Sequence, residues 1–367
     1  MNKGFSVYLD LVRFIAACLV YVYHSNQRLL VDEILPASNF GHSSVIVFFV
    51  LSGFVIAYVT DTKENTWTSY WASRLSRVYS VAVPAIVLTL VLDSIGRNLF
   101  PALYAGYPYD QFLIRSLGSL LFANEVWFIS ITSFSNVPYW SICYEIWYYA
   151  AFGILMFMPR RTAIALLLLL AAALGPKVIL LAPIWGMGVL LYHWQTPRHL
   201  SIGISWWLFS GTVVAIILFH YLGVSPAITE WLKAQMGADL HREFTFSKFF
   251  PADYILGILV AANFAAMRNI AGQTEPLMKA IESPVKTLAS YTFTLYLLHQ
   301  PLFLFWAAVL RGDPAGYGYW LATTGLMAAS VGVIGYYTEN KRHGLRKRIE
   351  KALSGIDGRL RVRHGEA

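Results

Sequence analysis

Long apolar segments recur along almost the whole chain. Of its 367 residues, 57% are hydrophobic and only 13% are charged, and the mean hydropathy is +0.53. A helix needs about 20 mostly apolar residues to cross the ~30 Å hydrocarbon core of a bilayer. The sequence therefore predicts an all-α, polytopic integral membrane helix bundle with about ten transmembrane helices. The predicted spans are 6–27, 42–59, 78–95, 139–158, 162–175, 178–194, 203–222, 252–267, 287–310 and 318–338.

The segment 111–138 is only partly apolar, and its sequence is QFLIRSLGSLLFANEVWFISITSFSNVP. Both of its flanks have to lie on the same side of the membrane, so it contains either no crossing or two. We predict that it is re-entrant or interfacial.

The basic residues indicate the orientation. If both termini lie inside, nineteen of the 28 Lys and Arg residues fall on inner segments and eight on outer ones. Lys and Arg accumulate in the cytoplasmic loops of membrane proteins. We therefore predict cytoplasmic N and C termini, with a transmembrane domain over 1–340 and a basic cytoplasmic tail over 341–367.

The net charge of +8 is concentrated in this tail. A basic segment by itself would suggest a nucleic-acid partner, but apolar residues recur between the charges at helical spacing: Leu345, Ile349, Leu353, Ile356 and Leu360. That pattern is typical of a helix that lies on an anionic leaflet. We expect membrane lipids, and no nucleic acid, as partners of the tail; a solvated, frayed tail is the alternative.

The two cysteines, Cys18 and Cys143, each fall inside a predicted span, away from any metal-ligand spacing. We expect neither a disulfide framework nor a metal site. The first segment contains IAAC, which resembles a lipoprotein cleavage box, but Asp10 and Arg13 interrupt the apolar run that a signal sequence needs. We therefore expect no cleavage there.

Three polar residues stand on the first predicted helix. Arg13 and His24 are eleven residues apart, which is about three helical turns, so both project from nearly the same face, ~16 Å apart along the axis. Asp10 precedes Arg13 by three residues and is placed to pair with it. A charge at membrane depth costs about 2.5–3.5 kcal/mol and usually faces a cavity or a partner. Snorkelling of Arg13 to the interface and an interfacial role for His24 are the structural alternatives.

Six segments together resemble the membrane acyltransferase-3 family. The stretch LDLVRFIAACLVYVYH has Asp10, Arg13 and His24 in the places of the family's first-helix motif. The other five follow in the family's order: FFVLSGFVI (48–56), RLSRV (74–78), YWSICYEIWYY (139–149), SYTFTLYLLHQPLF (290–303) and YYTEN (336–340). The family often has an aspartate where Ile46 stands and a proline where Ser80 stands, and these two departures fall in the second and third helices.

The resemblance implies the transfer of an acyl group, usually acetyl from acetyl-CoA, to a hydroxyl of a glycan. The acceptors of compact relatives include exopolysaccharide, lipopolysaccharide O-antigen and lipochitooligosaccharide nodulation factors. A multi-pass position in the bacterial inner membrane is implied as well. Some members carry an additional extracytoplasmic domain, and because this chain ends about 27 residues after its last predicted span, we expect the membrane domain to act alone or with a separate partner.

The residues suggest a division of roles for such a reaction. Arg74 and Arg77 lie one helical turn apart and can hold donor phosphates by charge-assisted bonds; simple marking of the cytoplasmic side is the alternative. His24 is the predicted general base, because an imidazole has the right intrinsic basicity at neutral pH. Direct attack is favoured over an acyl-histidine relay.

The remaining candidates surround this base. Arg13 and Glu145 are predicted catalytic residues, with Glu145 orienting His24 as the carboxylate does in a catalytic triad, or serving only as a structural hydrogen-bond partner. The predicted substrate contacts are Asp10, Ser141, Tyr296 and His299. The outer loop 223–251 is a candidate for acceptor selection.

A secondary transporter is the main alternative from another class of protein, because intramembrane Asp, Arg, Glu and His residues also build proton relays. Transporters commonly show duplicated halves, and this sequence shows no such duplication. Labelled acetyl-CoA distinguishes the two functions, since an enzyme leaves the label covalently on an acceptor and a carrier only moves it. A non-catalytic receptor or scaffold would leave the buried charges unexplained.

Overall fold

The computed structural model describes residues 1–30, 35, 37–194 and 196–363. This part of the chain is 83% helical and contains no strand. Side chains from 356 onward are outside the description, so Ile356 and Leu360 of the predicted apolar tail face are too. The helices are α1 (Lys3–Asn26), α2 (Gly41–Lys63), α3 (Trp67–Leu99), α4 (Pro101–Tyr104), α5 (Phe112–Leu120), α6 (Trp140–Phe157), α7 (Arg160–Leu174), α8 (Pro176–His193), α9 (Ile202–Tyr221), α10 (Val224–Met236), α11 (Ala238–Glu243), α12 (Phe250–Ile270), α13 (Glu275–Ala289), α14 (Thr292–Leu310), α15 (Tyr317–Gly335) and α16 (His343–Arg363).

Eight helical segments of the described chain are long and apolar enough to cross a membrane. They contain α1, α2, α3, α8, α9, α12, α14 and α15. The predicted spans 139–158 and 162–175 correspond to α6 and α7, which do not meet that criterion. α7 has 15 residues, and at 1.5 Å per residue it is about 22 Å long, shorter than the ~30 Å core. α6 carries Ser141 and Glu145, which lower its hydropathy.

The third helix is longer than the predicted span 78–95. α3 begins at Trp67, with the Thr66 side chain accepting a hydrogen bond from the Ser69 N–H (3.2 Å) at its N-terminus. The polar turn that contains Arg74 and Arg77 is therefore part of this helix. Hydropathy alone does not predict this first part of α3, because many of its side chains are polar although its backbone is helical.

The segment 111–138 contains the short helix α5 and otherwise irregular backbone, and no helix in it is long enough to cross. A buried ion pair holds it against α8, with Lys177 Nζ 2.6 Å from Glu125 Oε2 and 2.7 Å from the Ile129 carbonyl oxygen. Burial raises the pKa of Glu125, and the adjacent Lys177 ammonium opposes that shift. This polar anchor satisfies backbone that would be costly in lipid.

Glycines bring α2 and α8 into close contact. A Cβ added at Gly53 would lie 2.0 Å from the carbonyl oxygen of Trp185, and one added at Gly188 would lie 2.0 Å from that of Val50. Small residues let helix backbones approach in this way in membranes. The adjacent small residues of α2 thus have different surroundings, because Gly53 packs against α8 while Ser52 faces a cavity.

The C-terminal helix packs against α3. A π-helical turn, Tyr336–Asn340, joins α15 to α16. Within this turn Glu339 accepts a hydrogen bond from the Thr294 N–H (2.8 Å) and so satisfies one of the free donors at the start of α14. The residues after the turn thereby lie beside α3 and α14.

Candidate active site

A cavity of about 420 Å³ lies among α1, α2, α3, α6, α14 and the turn before α16. Its mouth contains Lys63 and His343, which are exposed to solvent, and its closed end contains Ser141 and Tyr296, which are buried. The volume is within the usual range of small-molecule and cofactor sites, about 300–1,000 Å³.

Cations dominate the charged lining of this cavity. Three glutamates line it (Glu64, Glu145 and Glu339), against six basic residues (Arg13, Lys63, Arg74, Arg77, Arg342 and Arg346). This excess of positive charge favours an anionic ligand.

The two arginines of the RLSRV motif have different environments. Arg74 is buried, forms an ion pair with Glu64 (2.5 Å), and lies over the Tyr70 ring at 4.8 Å from its centroid. Arg77 is half-buried and lines the same cavity. It makes no ion pair or side-chain hydrogen bond with any residue that the structure describes; its nearest ring is Phe293, at 5.9 Å. Arg74 is thus held by the protein, whereas the Arg77 guanidinium is available to a ligand.

The first helix contributes Arg13 to the lining. Its guanidinium is 3.3 Å from Asp10 Oδ1, as the three-residue spacing predicts, and neither side chain is more than 22% exposed. Asp10 itself does not line the cavity. It is placed to hold Arg13 rather than to contact a ligand there.

Glu145 lies along the wall of the cavity, on α6. It accepts hydrogen bonds from the Ser52 hydroxyl (2.5 Å) and from the Tyr149 hydroxyl. Trp185 donates its indole N–H to the same Ser52 oxygen (3.3 Å). The contact with His24 that we predicted for Glu145 is not formed: Glu145 Oε1 bonds to these neighbours on α2 and α6, and the ring that His24 contacts is that of His299.

The closed end is formed by a hydroxyl pair. Ser141 Oγ and Tyr296 OH are 2.6 Å apart, and the Phe48 ring meets the Tyr296 ring edge-on with centroids 5.2 Å apart. The helix that carries Tyr296 continues one turn further to His299. Two of the predicted substrate contacts therefore line the cavity together.

His24 and His299 lie outside the cavity lining and contact each other. His24 Nδ1 is 3.1 Å from His299 Nε2, and the ring centroids are 5.1 Å apart. His299 is fully buried, at 0% exposure. The structure thus brings together one residue from each of two distant motifs, although neither ring is part of the cavity surface.

Sequence reasoning missed the contribution of the C-terminal segment. Arg342, His343 and Arg346 line the mouth, so the domain boundary predicted at 340 divides residues of a single cavity. The nine Lys and Arg residues of this segment were visible in the sequence, but the position of the segment beside α3 depends on tertiary contacts.

Two histidines near helix ends, His42 and His220, have partners on the protein. His42 Nε2 is 3.0 Å from both carboxylate oxygens of Asp253, and Ser43 Oγ is 2.6 Å from His220 Nε2. The predicted acceptor loop 223–251 contains α10, which packs beside α9 and α12, and α11, which packs against α10. Cys18 and Cys143 are free thiols, and no cluster of three metal-ligating residues occurs in the described ranges.

Comparison with known proteins agrees with the motifs. The model of a family described as "Acyltransferase domain" matches residues 6–339, which is nearly the whole chain. The chain belongs to the acyltransferase-3 family. With its apolar helices, it is a multi-pass membrane protein of an acyl-transferring family.

Two curated proteins are similar to part of this chain. Acyltransferase MdmB of Streptomyces mycarofaciens is 26% identical over 179 residues, which cover 46% of this chain and 43% of that protein. Exopolysaccharide production protein ExoZ of Rhizobium meliloti (strain 1021) is 27% identical over 148 residues, 38% of this chain and 42% of that protein. The chain thus aligns with less than half the length of either relative. No solved structure matches.

Proposed function

We propose that this protein transfers an acetyl group from acetyl-CoA to a hydroxyl of a cell-surface or secreted glycan. The observation that carries the proposal is Arg77, an arginine that makes no ion pair or side-chain hydrogen bond with the described residues, in a cavity with six basic residues in its lining. An unpaired guanidinium at half-buried depth is costly unless a ligand neutralises it. The phosphates of a CoA thioester supply that charge.

The donor would enter through the mouth. Arg342 and Arg346 lie beside the mouth residues Lys63 and His343, where diphosphate and ribose-phosphate groups can remain close to water. The narrow pantetheine arm would then extend along Glu145 to the closed end, where the thioester reaches the Ser141–Tyr296 pair. With the orientation that the basic residues favour, this mouth faces the cytoplasm, where acyl-CoA is made.

The reaction requires a base and a proton carrier. In the proposed step the acceptor oxygen attacks the thioester carbonyl carbon, a C–O bond forms and the C–S bond breaks. His24 Nε2 takes the hydroxyl proton and returns it to the departing sulfur, so the products are the O-acetyl ester and CoA thiol. Arg13 lies ~16 Å from His24 along α1, so its charge would act on the anionic donor where Arg13 lines the cavity, and not at the attacked carbonyl. Since Phe48 and Tyr296 stand at the closed end, these rings have to move for the thioester to meet His24.

The acceptor class rests on similarity. One relative is named for exopolysaccharide production, and the family resemblance extends to O-antigen and nodulation-factor acetylation. A polysaccharide or oligosaccharide acceptor on the outer side of the bacterial inner membrane accords with a base near the outer end of α1. The proposal requires no metal.

The test uses membrane vesicles from the host strain with its own gene deleted and the full chain supplied on a plasmid. Acetyl-labelled acetyl-CoA should leave label on the glycan fraction, and mild alkali should remove it, because O-acetyl esters are base-labile. His24→Ala should abolish labelling at an unchanged protein level. Label that enters the vesicles but remains acid-soluble and unbound would indicate transport and contradict the proposal.

A further inference from the structure

The hydrogen bonds of His299 determine where its proton lies. Its Nδ1 is 2.9 Å from the Tyr296 carbonyl oxygen and 3.1 Å from that of Leu295. A carbonyl oxygen only accepts, so Nδ1 carries the hydrogen. In a neutral ring the Nε2 of His299 is then an acceptor, and this is the atom that faces His24.

The same reasoning applies to His24. Its Nδ1 is 3.0 Å from the Val20 carbonyl oxygen and 3.1 Å from His299 Nε2. Both neighbours are acceptors, so one Nδ1–H is shared between them and the Nε2 of His24 keeps its lone pair. The reverse assignment needs a second proton on fully buried His299, and the lone pair of His24 Nδ1 would then face the Val20 carbonyl oxygen at 3.0 Å. Within the described chain, no carboxylate contacts either ring to stabilise such a cation.

We infer that His299 is a positioning residue that holds the proton of His24 on Nδ1 and thereby keeps its Nε2 as the base of acyl transfer. The inference rests on the proposed function. The carbonyl oxygens of Leu295 and Tyr296 accept from His299, and His299 accepts from His24. The neutral ring of His299 therefore has the place that a carboxylate has in a serine-hydrolase triad. In this inference His299, and not Glu145, orients His24, and His299 is no longer a substrate contact.

The aromatic surroundings keep the two rings in place. Tyr21 presents its ring edge to His299 at a centroid distance of 6.2 Å, and Tyr23 lies against His24 at 5.0 Å. When His24 takes a proton on Nε2, its Nδ1–H still donates to His299 Nε2, which now stabilises a cation. Tyr21, Tyr23 and Tyr296 are the other titratable side chains whose rings contact this pair.

The size of the effect follows from what remains when His299 is removed. His24 keeps its bond to Val20 on its own helix, so the tautomer is not lost completely and the fall should be smaller than the ~10⁴-fold loss known for a triad carboxylate. A hydrogen bond to a charged group contributes enough to change a rate by about 10- to 150-fold. The loss should appear in kcat, since His299 does not line the cavity, and the KM for acetyl-CoA should stay the same.

A pair of amide variants tests the inference. The side-chain oxygen of His299→Gln reaches about as far as Nε2 and can accept the His24 proton, whereas that of His299→Asn stops near the position of Nδ1. Release of CoA from acetyl-CoA in the host vesicles should be about 10- to 150-fold slower for Asn in kcat and largely restored for Gln. His220→Gln, a histidine bonded to Ser43 away from this pair, should match the wild type.

Equal kcat values for the Asn and Gln variants, or a change confined to KM, would overturn the inference. If His299→Asn fails to accumulate, His299→Leu replaces it, because leucine fills the space without an acceptor. The proposed function has a separate readout: it fails if the wild-type chain acetylates no glycan or if His24→Ala stays active. An active wild type, an inactive His24→Ala and an unimpaired His299→Asn would reject the positioning role alone.

Discussion

Replacing Arg77 with glutamine should weaken acetyl-CoA binding and leave the fold intact. Arg77 lines the cavity and makes no ion pair or side-chain hydrogen bond in the described chain, so its removal breaks no such bond, although Glu145 and Glu339 line the same cavity. A charge-assisted hydrogen bond from arginine to phosphate contributes about 1.5–3 kcal/mol. The expected result is therefore a rise of about 10- to 150-fold in the KM for acetyl-CoA.

The neighbouring arginine should behave differently. Arg74 is paired with Glu64, and the exposed fractions of the two side chains are 8% and 3%. Breaking such a buried pair by removing one partner costs about 3–5 kcal/mol of stability. Arg74→Gln should therefore reduce the amount of folded protein, while Arg77→Gln should not.

The assay compares two donors that carry the same thioester. Acetyl-CoA has the nucleotide phosphates and acetyl-pantetheine lacks them, so Arg77→Gln should raise the KM for the first and leave that for the second unchanged. Arg77→Lys, which keeps the charge but loses the planar fork, should lie between. Arg242→Gln, at an exposed pair with Asp239, controls for the loss of one positive charge. An equal rise in KM for both donors would refute a phosphate contact at Arg77.

Three further predictions concern packing, the buried pair and the mouth. Gly53→Ala should lower stability by about 1–3 kcal/mol, because its Cβ would overlap a carbonyl oxygen of α8; Gly211→Ala, which has open space, should be neutral, and thermal melting in detergent measures both. Lys177→Met should destabilise by about 3–5 kcal/mol, and adding Glu125→Leu should recover much of that loss, since the lone carboxylate is then gone; no recovery would argue against the ion pair. Arg346→Gln should raise the KM for acetyl-CoA with kcat unchanged, and an unchanged KM would exclude that arginine from donor binding.

The positions of the spans follow from the sequence because lipid leaves an apolar segment few alternatives. A backbone in hydrocarbon has to satisfy its own hydrogen bonds, and a helix does so within one segment. α1 and α9 were therefore predictable to within a few residues. The start of α3 at Trp67 was not, because hydropathy reports what contacts lipid and a polar helical turn gives no such signal.

The candidate site was predictable only as far as local periodicity reaches. Asp10 and Arg13 pair as their spacing requires. The partner of His24 is 275 residues away in the chain, and Glu64 was not singled out as the partner of Arg74. Helix packing determines which side chains form these pairs. Because His24 and His299 are far apart in the sequence, no short segment of it predicts their pairing.

The bond from Glu339 to the Thr294 amide has a mechanical consequence. Arg342 follows Glu339 by three residues and lines the mouth, whereas His299 follows Thr294 by five residues, about 7.5 Å along the same rod. One carboxylate thus fixes the position of the segment that lines the nucleotide end relative to the first turn of the helix that carries His299.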